Sequence, residues 1–93
     1  VHTVSEVETA LSTRAELIGI NNRNLSTLRI DRSTTRLLSE SIRSAGRTIV
    51  SESGMQSADD IREMKSYCDA FLIGSSIMAH KHPEKKLEEF VCA

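Results

Sequence analysis

The sequence has no long apolar run: its longest are of strand size, far short of the roughly 18 residues a membrane span needs, and no basic segment leads into an apolar one as in a secretory leader. It also lacks an excess of either charge. With 12 basic and 13 acidic residues the net charge is -1, too little to hold a nucleic-acid backbone or an anionic bilayer, so neither is expected as a partner. Cysteine is scarce. Cys68 and Cys92 have no CxxC spacing and no cluster of histidines beside them, which excludes a tetrahedral metal site, and they read as a core and a terminal surface thiol rather than a disulfide. Linkers are missing as well, with no glycine- or serine-rich tract and no interior boundary, so residues 1–93 read as one unit. No initiator methionine is present and Val1 reads as the tail of a strand, which suggests one partial domain of a longer polypeptide. A chain this short buries roughly 65% of the surface it exposes unfolded. A small neutral or phosphorylated molecule is therefore the expected partner, and the cytoplasm the expected location.

What is present is one pattern repeated three times: a short apolar run that ends abruptly in polar residues. Leu17-Ile-Gly-Ile20 runs into Asn21, Asn22 and Arg23; Thr48-Ile-Val-Ser51 into Glu52, Ser53 and Gly54; Ala70-Phe-Leu-Ile73 into Gly74, Ser75 and Ser76. Helical patterns separate the runs. Thr3 and Glu6 have capping-box spacing before a helix from about Ser5 to Thr13 with Val7, Ala10 and Leu11 on one face. Asp31 or Ser33 is expected to cap a helix to about Ala45, with Leu37, Leu38 and Ile42 inward and Gly46 closing it. Ser57 to Asp60 begins a third, with Ile61, Met64 and the stem of Lys65 toward the sheet, and Pro83 opens a last helix to Val91. Strand and helix alternating every 25 to 30 residues or so is the βαβ pattern of a parallel sheet. The continuous apolar runs predict strands buried on both faces. Three such strands are at most half of an ordinary covered sheet, leaving apolar edges unpaired.

Polar residues at the C-terminal ends of parallel strands are where α/β barrels keep their chemistry, with phosphate bound after the last two strands. Ser53-Gly54 and Gly74-Ser75 would form two walls of a phosphate cradle; a single Gly-Ser pair would be read simply as a turn. Glu52, directly after a strand, is the candidate catalytic carboxylate, or alternatively the ion-pair partner of Arg23. Asn21 can orient a substrate, and the Arg23 fork suits a substrate carboxylate, although Asn-Asn-Arg-Asn is also ordinary turn chemistry. Gly19 marks a place where something packs closely on its strand. Asn21 to Arg32 is long for a βα connection, a length usual in functional loops. His80 and His82 read as a solvated loop rather than a metal site, His2 carries no assignment, and Lys85, Lys86, Glu88 and Glu89 form a solvated helix face.

Ile18-Gly-Ile-Asn-Asn-Arg-Asn-Leu25, Val50-Ser-Glu-Ser-Gly-Met55 and Phe71-Leu-Ile-Gly-Ser-Ser-Ile-Met78, in this order and spacing, resemble the last three strand-loop units of the indole-3-glycerol phosphate synthases, TIM-barrel enzymes of tryptophan biosynthesis. The resemblance covers essentially the whole chain. It implies an α/β fold whose parallel βα units form the C-terminal half of a (β/α)8 barrel, with Val1-His2-Thr3 ending the fifth strand and the three runs as strands six to eight. It implies a carbon–carbon lyase that closes an indole ring from a carboxyphenylamino-deoxyribulose phosphate with loss of carbon dioxide and water, without metal or organic cofactor. Asn21 and Glu52 would then be catalytic, Arg23 would recognise the substrate carboxylate, and Ser53, Gly54, Gly74 and Ser75 would hold phosphate.

The family's principal general acid is a lysine, and it and further lysine and glutamate residues come from the first half of the barrel, which this sequence does not contain. The chain alone is accordingly expected to be inactive, pairing with an N-terminal half-barrel or self-associating through exposed sheet edges. Two other readings are a non-catalytic, self-associating half-barrel and a different phosphate-binding barrel enzyme of the same pathway; Asn21-Asn22-Arg23 argues against the latter.

Overall fold

The structure, a computed structural model, describes residues 1–93. Its elements are α1 (Val4–Leu11), β1 (Leu17–Asn21), α2 (Ser33–Ser44), β2 (Thr48–Glu52), α3 (Ala58–Met64), β3 (Ala70–Leu72), α4 (Ser75–Met78) and α5 (Pro83–Val91). No helix is long and apolar enough to cross a membrane. The strands form one parallel sheet in the order β1-β2-β3, with Leu17 beside Thr48, Asn21 beside Glu52, and Glu52 beside Leu72. Val1 adds a further rung at the β1 edge: its nitrogen donates to the Gly19 carbonyl at 2.5 Å and its carbonyl accepts the Asn21 N–H at 2.7 Å. Val1 thus bonds along the β1 edge as the tail of a strand would, while belonging to no strand of the sheet.

Local chemistry accounts for the helix starts. The Thr3 hydroxyl accepts the Glu6 N–H at 3.2 Å, and the Glu6 carboxylate accepts N–H groups of His2 at 2.8 Å and Thr3 at 3.1 Å. Ser57 and Asp60 repeat this box at the head of α3. The cap expected for α2 is not formed. Arg32 occupies the capping position with no side-chain bond, while Asp31, one residue earlier, accepts the N–H at 3.0 Å and hydroxyl at 2.6 Å of Ser33, the first helical residue, rather than an N–H of the second or third.

The inward stripe of α2 is Thr35, Leu38, Ser39 and Ile42, the i, i+3, i+4, i+7 spacing of one helix face. Leu37 lies about 100° from that stripe and is 77% exposed, contrary to the expected inward position. Lys65, after the end of α3, is likewise exposed rather than laid on the sheet. Val7, Ile18, Ile20, Leu38, Ile42, Ile49 and Cys68 make one core cluster; Met55, Ile61, Met64 and Phe90 make a second, with Phe71 packed against both. Each fully buried aliphatic side chain stabilises the fold by about 1.5–3 kcal/mol. Burial and the neighbouring Asp69 charge push the Cys68 thiol up, as suits a core thiol, and Cys92 is exposed.

These clusters lie on one side of the sheet. Ile18 and Ile20 of β1 and Ile49 and Ser51 of β2 face the helices and are buried, while the alternating residues face the other way. On that second face Leu17 and Leu72 are each 61% exposed, so the expectation of strands covered on both faces does not hold for this chain. The second face carries Gly19, Asn21, Val50 and Glu52.

Arg47, just before β2, donates to the carbonyls of Leu11 and Thr13, each at 3.2 Å, and of Ala15, tying the end of α1 to the sheet. Arg47→Ala leaves these carbonyls to water and is expected to lower the unfolding free energy by about 1–2 kcal/mol. The measurement is urea denaturation, with the midpoint falling at constant slope. An unchanged midpoint would show that the fork contributes nothing.

Candidate functional site

All three strands run the same way, so their polar C-terminal residues arrive at one edge of the sheet. Asn21 and Glu52 are register partners there, and both side chains belong to the face without helices. The Asn21 carboxamide oxygen accepts the Arg23 N–H at 3.0 Å, closing a turn that starts the long loop. That loop bonds largely to itself: Arg23 bridges to Ile30, the Asn24 N–H reaches the Arg29 carbonyl at 2.8 Å, and the Asn24 side chain accepts two N–H groups. The main-chain carbonyl of Asn21 is 2.7 Å from Nδ1 of His2; since a carbonyl only accepts, Nδ1 carries the proton. This gives His2 a structural partner that its sequence position did not reveal.

Glu52 makes no ion pair and its side chain no hydrogen bond within the chain, although it is half-buried. Arg23, the suggested ion-pair partner, stays apart from it. The Glu52 carboxylate lies over Gly19, where a β-carbon would clash with Oε1 and come within 3.1 Å of the carboxyl carbon. The close packing expected at Gly19 is thus the carboxylate of the neighbouring strand.

Beyond Glu52 the chain turns sharply through Ser53 at φ 71° and Gly54 at φ 88°, both left-handed. A β-carbon on Gly54 would approach Ile30 Cγ2 to 2.8 Å and Arg32 Cγ to 3.2 Å, so glycine is required twice over. Opposite this wall stands Gly74-Ser75, and the Ser76 hydroxyl ties the two together by donating to the Met55 carbonyl at 2.8 Å. The N–H groups of Ser53, Gly54, Gly74 and Ser75 have no acceptor within the chain. Between the walls is an open depression of about 500 Å³ lined by Arg23, Glu52, Ser53, Gly54, Gly74 and Ser75 among others. Six of the seven residues singled out from sequence therefore meet in one place. Asn21 is outside that lining, next to Glu52.

Behind the Ser53-Gly54 wall, Arg32 pairs with Asp60, and Arg36 with Glu63 at 2.6 Å. Burial by itself raises the Asp60 carboxyl, but the Gln56 N–H, the Arg32 guanidinium and the Ser57 N–H outweigh it and hold the group below the usual carboxylate range. These charges are already satisfied. Arg23 is left as the unpaired cation of the depression.

The family model for indole-3-glycerol phosphate synthase matches residues 1–90. The chain belongs to the indole-3-glycerol phosphate synthase family. It is 42% identical over 95 residues to the indole-3-glycerol phosphate synthase of Lachnospira eligens, covering 97% of this chain and 35% of that protein. It is 40% identical over 93 residues to that of Aquifex aeolicus, covering 98% and 36%, and 42% identical over 90 residues to that of Methanocaldococcus jannaschii, covering 97% and 34%. The chain thus spans about a third of the length of these relatives. An α/β chain with a three-stranded parallel sheet is what part of this family's TIM barrel looks like, and both the family and the fold class implied by the sequence hold.

In this indole-3-glycerol phosphate synthase family chain the sequence reading missed a buried polar cluster directly under the strand ends. Asn22, Thr35 and Ser51 are each 0% exposed and bond to one another. The signal was available as strand parity. Asn22 continues the Ile18, Ile20 side of β1 and Ser51 the Ile49 side of β2, which puts polar groups where the sheet meets α2. Ser76 was also missed as the link between the two walls.

Proposed function

We propose that residues 1–93 are one partial domain that supplies the sixth to eighth βα units of a cytoplasmic indole-3-glycerol phosphate synthase. In this reading the substrate is a carboxyphenylamino-deoxyribulose phosphate. Ring closure joins the ring carbon bearing the carboxylate to the carbonyl carbon of the sugar chain. Carbon dioxide leaves, and the former carbonyl oxygen departs as water. No electrons are exchanged with an outside partner, so the protein has to supply binding, orientation and proton transfer.

The observation that carries the reading is the single depression in which an unpaired carboxylate faces two walls of unpaired N–H groups. Ser53, Gly54, Gly74 and Ser75 offer N–H and hydroxyl donors to the phosphate monoester, and the left-handed turn at Ser53-Gly54 turns one wall back toward the other. Arg23 takes the substrate carboxylate through its planar fork. Glu52 is the catalytic carboxylate, placed to stabilise the positive charge that develops on the ring system as the new bond forms, and Asn21 beside it orients the reacting chain. The principal proton donor comes from the N-terminal part of the barrel, packed on the face of the sheet where Leu17 and Leu72 are exposed.

The test is to combine this chain with the matching N-terminal βα units. The mixture is expected to form indoleglycerol phosphate from the carboxyphenylamino-deoxyribulose phosphate, and neither part alone to do so. Stoichiometric assembly without product would sink the reading. The uncovered apolar face favours a second one, in which copies of a non-catalytic half-barrel associate through it; that reading predicts sedimentation as an oligomer whether or not the other units are added.

A further inference from the structure

We infer that Asn22 is a positioning residue that fixes both Glu52 and the Ser53-Gly54 wall from behind. The inference rests on the proposed synthase reading and assigns a role to a residue that touches no substrate. Its geometry is unusually complete. The Asn22 main-chain N–H donates to the Glu52 carbonyl at 2.9 Å, and its side-chain Nδ2 donates to the Ser53 carbonyl at 3.0 Å. The carbonyls of two successive site residues thus end on one asparagine. The second Nδ2 hydrogen goes to Ser51 Oγ at 3.0 Å, while Oδ1 accepts both the N–H and the hydroxyl of Thr35, at 3.2 and 2.8 Å.

The Thr35 and Ser51 hydroxyls are 2.8 Å apart. Because the Thr35 hydrogen is committed to Asn22, Ser51 must be the donor between them. This closes a directed ring from Asn22 to Ser51 to Thr35 and back to Asn22, in which each bond polarises the next. All four hydrogen-bonding positions of the carboxamide are used, so the amide has one orientation. That orientation sets the direction of the Ser53 carbonyl and holds this residue at φ 71°, a conformation that serine rarely adopts without support. Adjacent Asn21 and Asn22 therefore divide the work: Asn21 faces the open side with Glu52, and Asn22 anchors the strand ends from the helix side.

The experiment uses the complete barrel and three variants. Asn22→Asp keeps the shape but loses both Nδ2 donors; Ser51→Ala removes one hydroxyl beneath the amide; Leu38→Ala destabilises the core without touching the ring. Turnover is measured per folded site, and inorganic phosphate binding is measured separately by titration calorimetry. Asn22→Asp is expected to lower kcat and phosphate affinity each by about 10- to 100-fold, the scale of a misplacement of about 1 Å. Ser51→Ala is expected to move both the same way by about 3- to 10-fold, and it carries the test if Asn22→Asp does not fold. Leu38→Ala should lower the thermal midpoint while leaving both unchanged. The inference is overturned if the folded Asn22→Asp or Ser51→Ala protein keeps wild-type kcat and phosphate affinity, as Leu38→Ala does. If the unsubstituted barrel makes no indoleglycerol phosphate, the synthase reading falls instead, and phosphate binding alone decides the role of Asn22.

Discussion

Replacing Glu52 by glutamine in the complete barrel is expected to cut kcat by about 10²- to 10⁴-fold while KM stays within a few-fold. Glutamine keeps the shape and removes the charge, so the loss isolates what the carboxylate does in the transition state. The structure gives three reasons for so large an effect. The carboxylate has no cation and no hydrogen-bond donor of its own within the chain, so nothing in the chain competes with a substrate for it. It is half-buried at a strand end, where a charge acts with less solvent screening than on an open surface. Its main chain is held on both sides, by the β1 ladder that the Asn22 N–H extends and by Leu72 of β3, so it is pre-placed rather than recruited. Binding should survive because Arg23 and the two walls proposed to hold phosphate are untouched. Steady-state kinetics with the phosphorylated substrate decides the matter: a rise in KM with kcat preserved would move Glu52 from the chemistry to binding.

Much of this site was legible because the chemistry follows from where a strand stops. Glu52, Ser53 and Gly54 come straight after a β-run, and Gly74-Ser75 after another, and parallel strands must deliver both to one edge. The capping boxes at Thr3 and Ser57 were equally plain, since each needs only residues three apart. What could not be read is what depends on the third dimension. Leu37 and Leu38 are the same residue type, and only the rotation of α2 against the sheet decides which is buried. Asn21 and Asn22 are also alike in sequence, and turn composition explained both. Strand parity sends one to the open face and the other into the core, where three polar side chains satisfy one another. The continuous apolar runs spoke for a sheet covered on both sides, a property of the whole barrel that about a third of its length cannot supply.

Gly19→Ala should separate activity from stability more sharply than any other single change here. Gly19 is not in the left-handed region, so its backbone accepts alanine, and a residue with a side chain is favoured over glycine within a strand by about 0.5–1 kcal/mol. The β-carbon meets a single obstacle, the Glu52 carboxylate, whose Oε1 it would overlap. A flexible carboxylate end can swing away at small cost to folding, but then it no longer stands where the strand ends converge. The expected result is a thermal midpoint equal to or above that of the parent, with kcat reduced by about 10²-fold or more through displacement of the carboxylate. Since the whole effect passes through Glu52, adding Gly19→Ala to Glu52→Gln should cost almost nothing further, a non-additivity that a double-mutant cycle reads directly. Additive losses would mean that Gly19 makes room for substrate itself. A fall in stability with activity retained would mean that the carboxylate is held in place by more than the gap above Gly19.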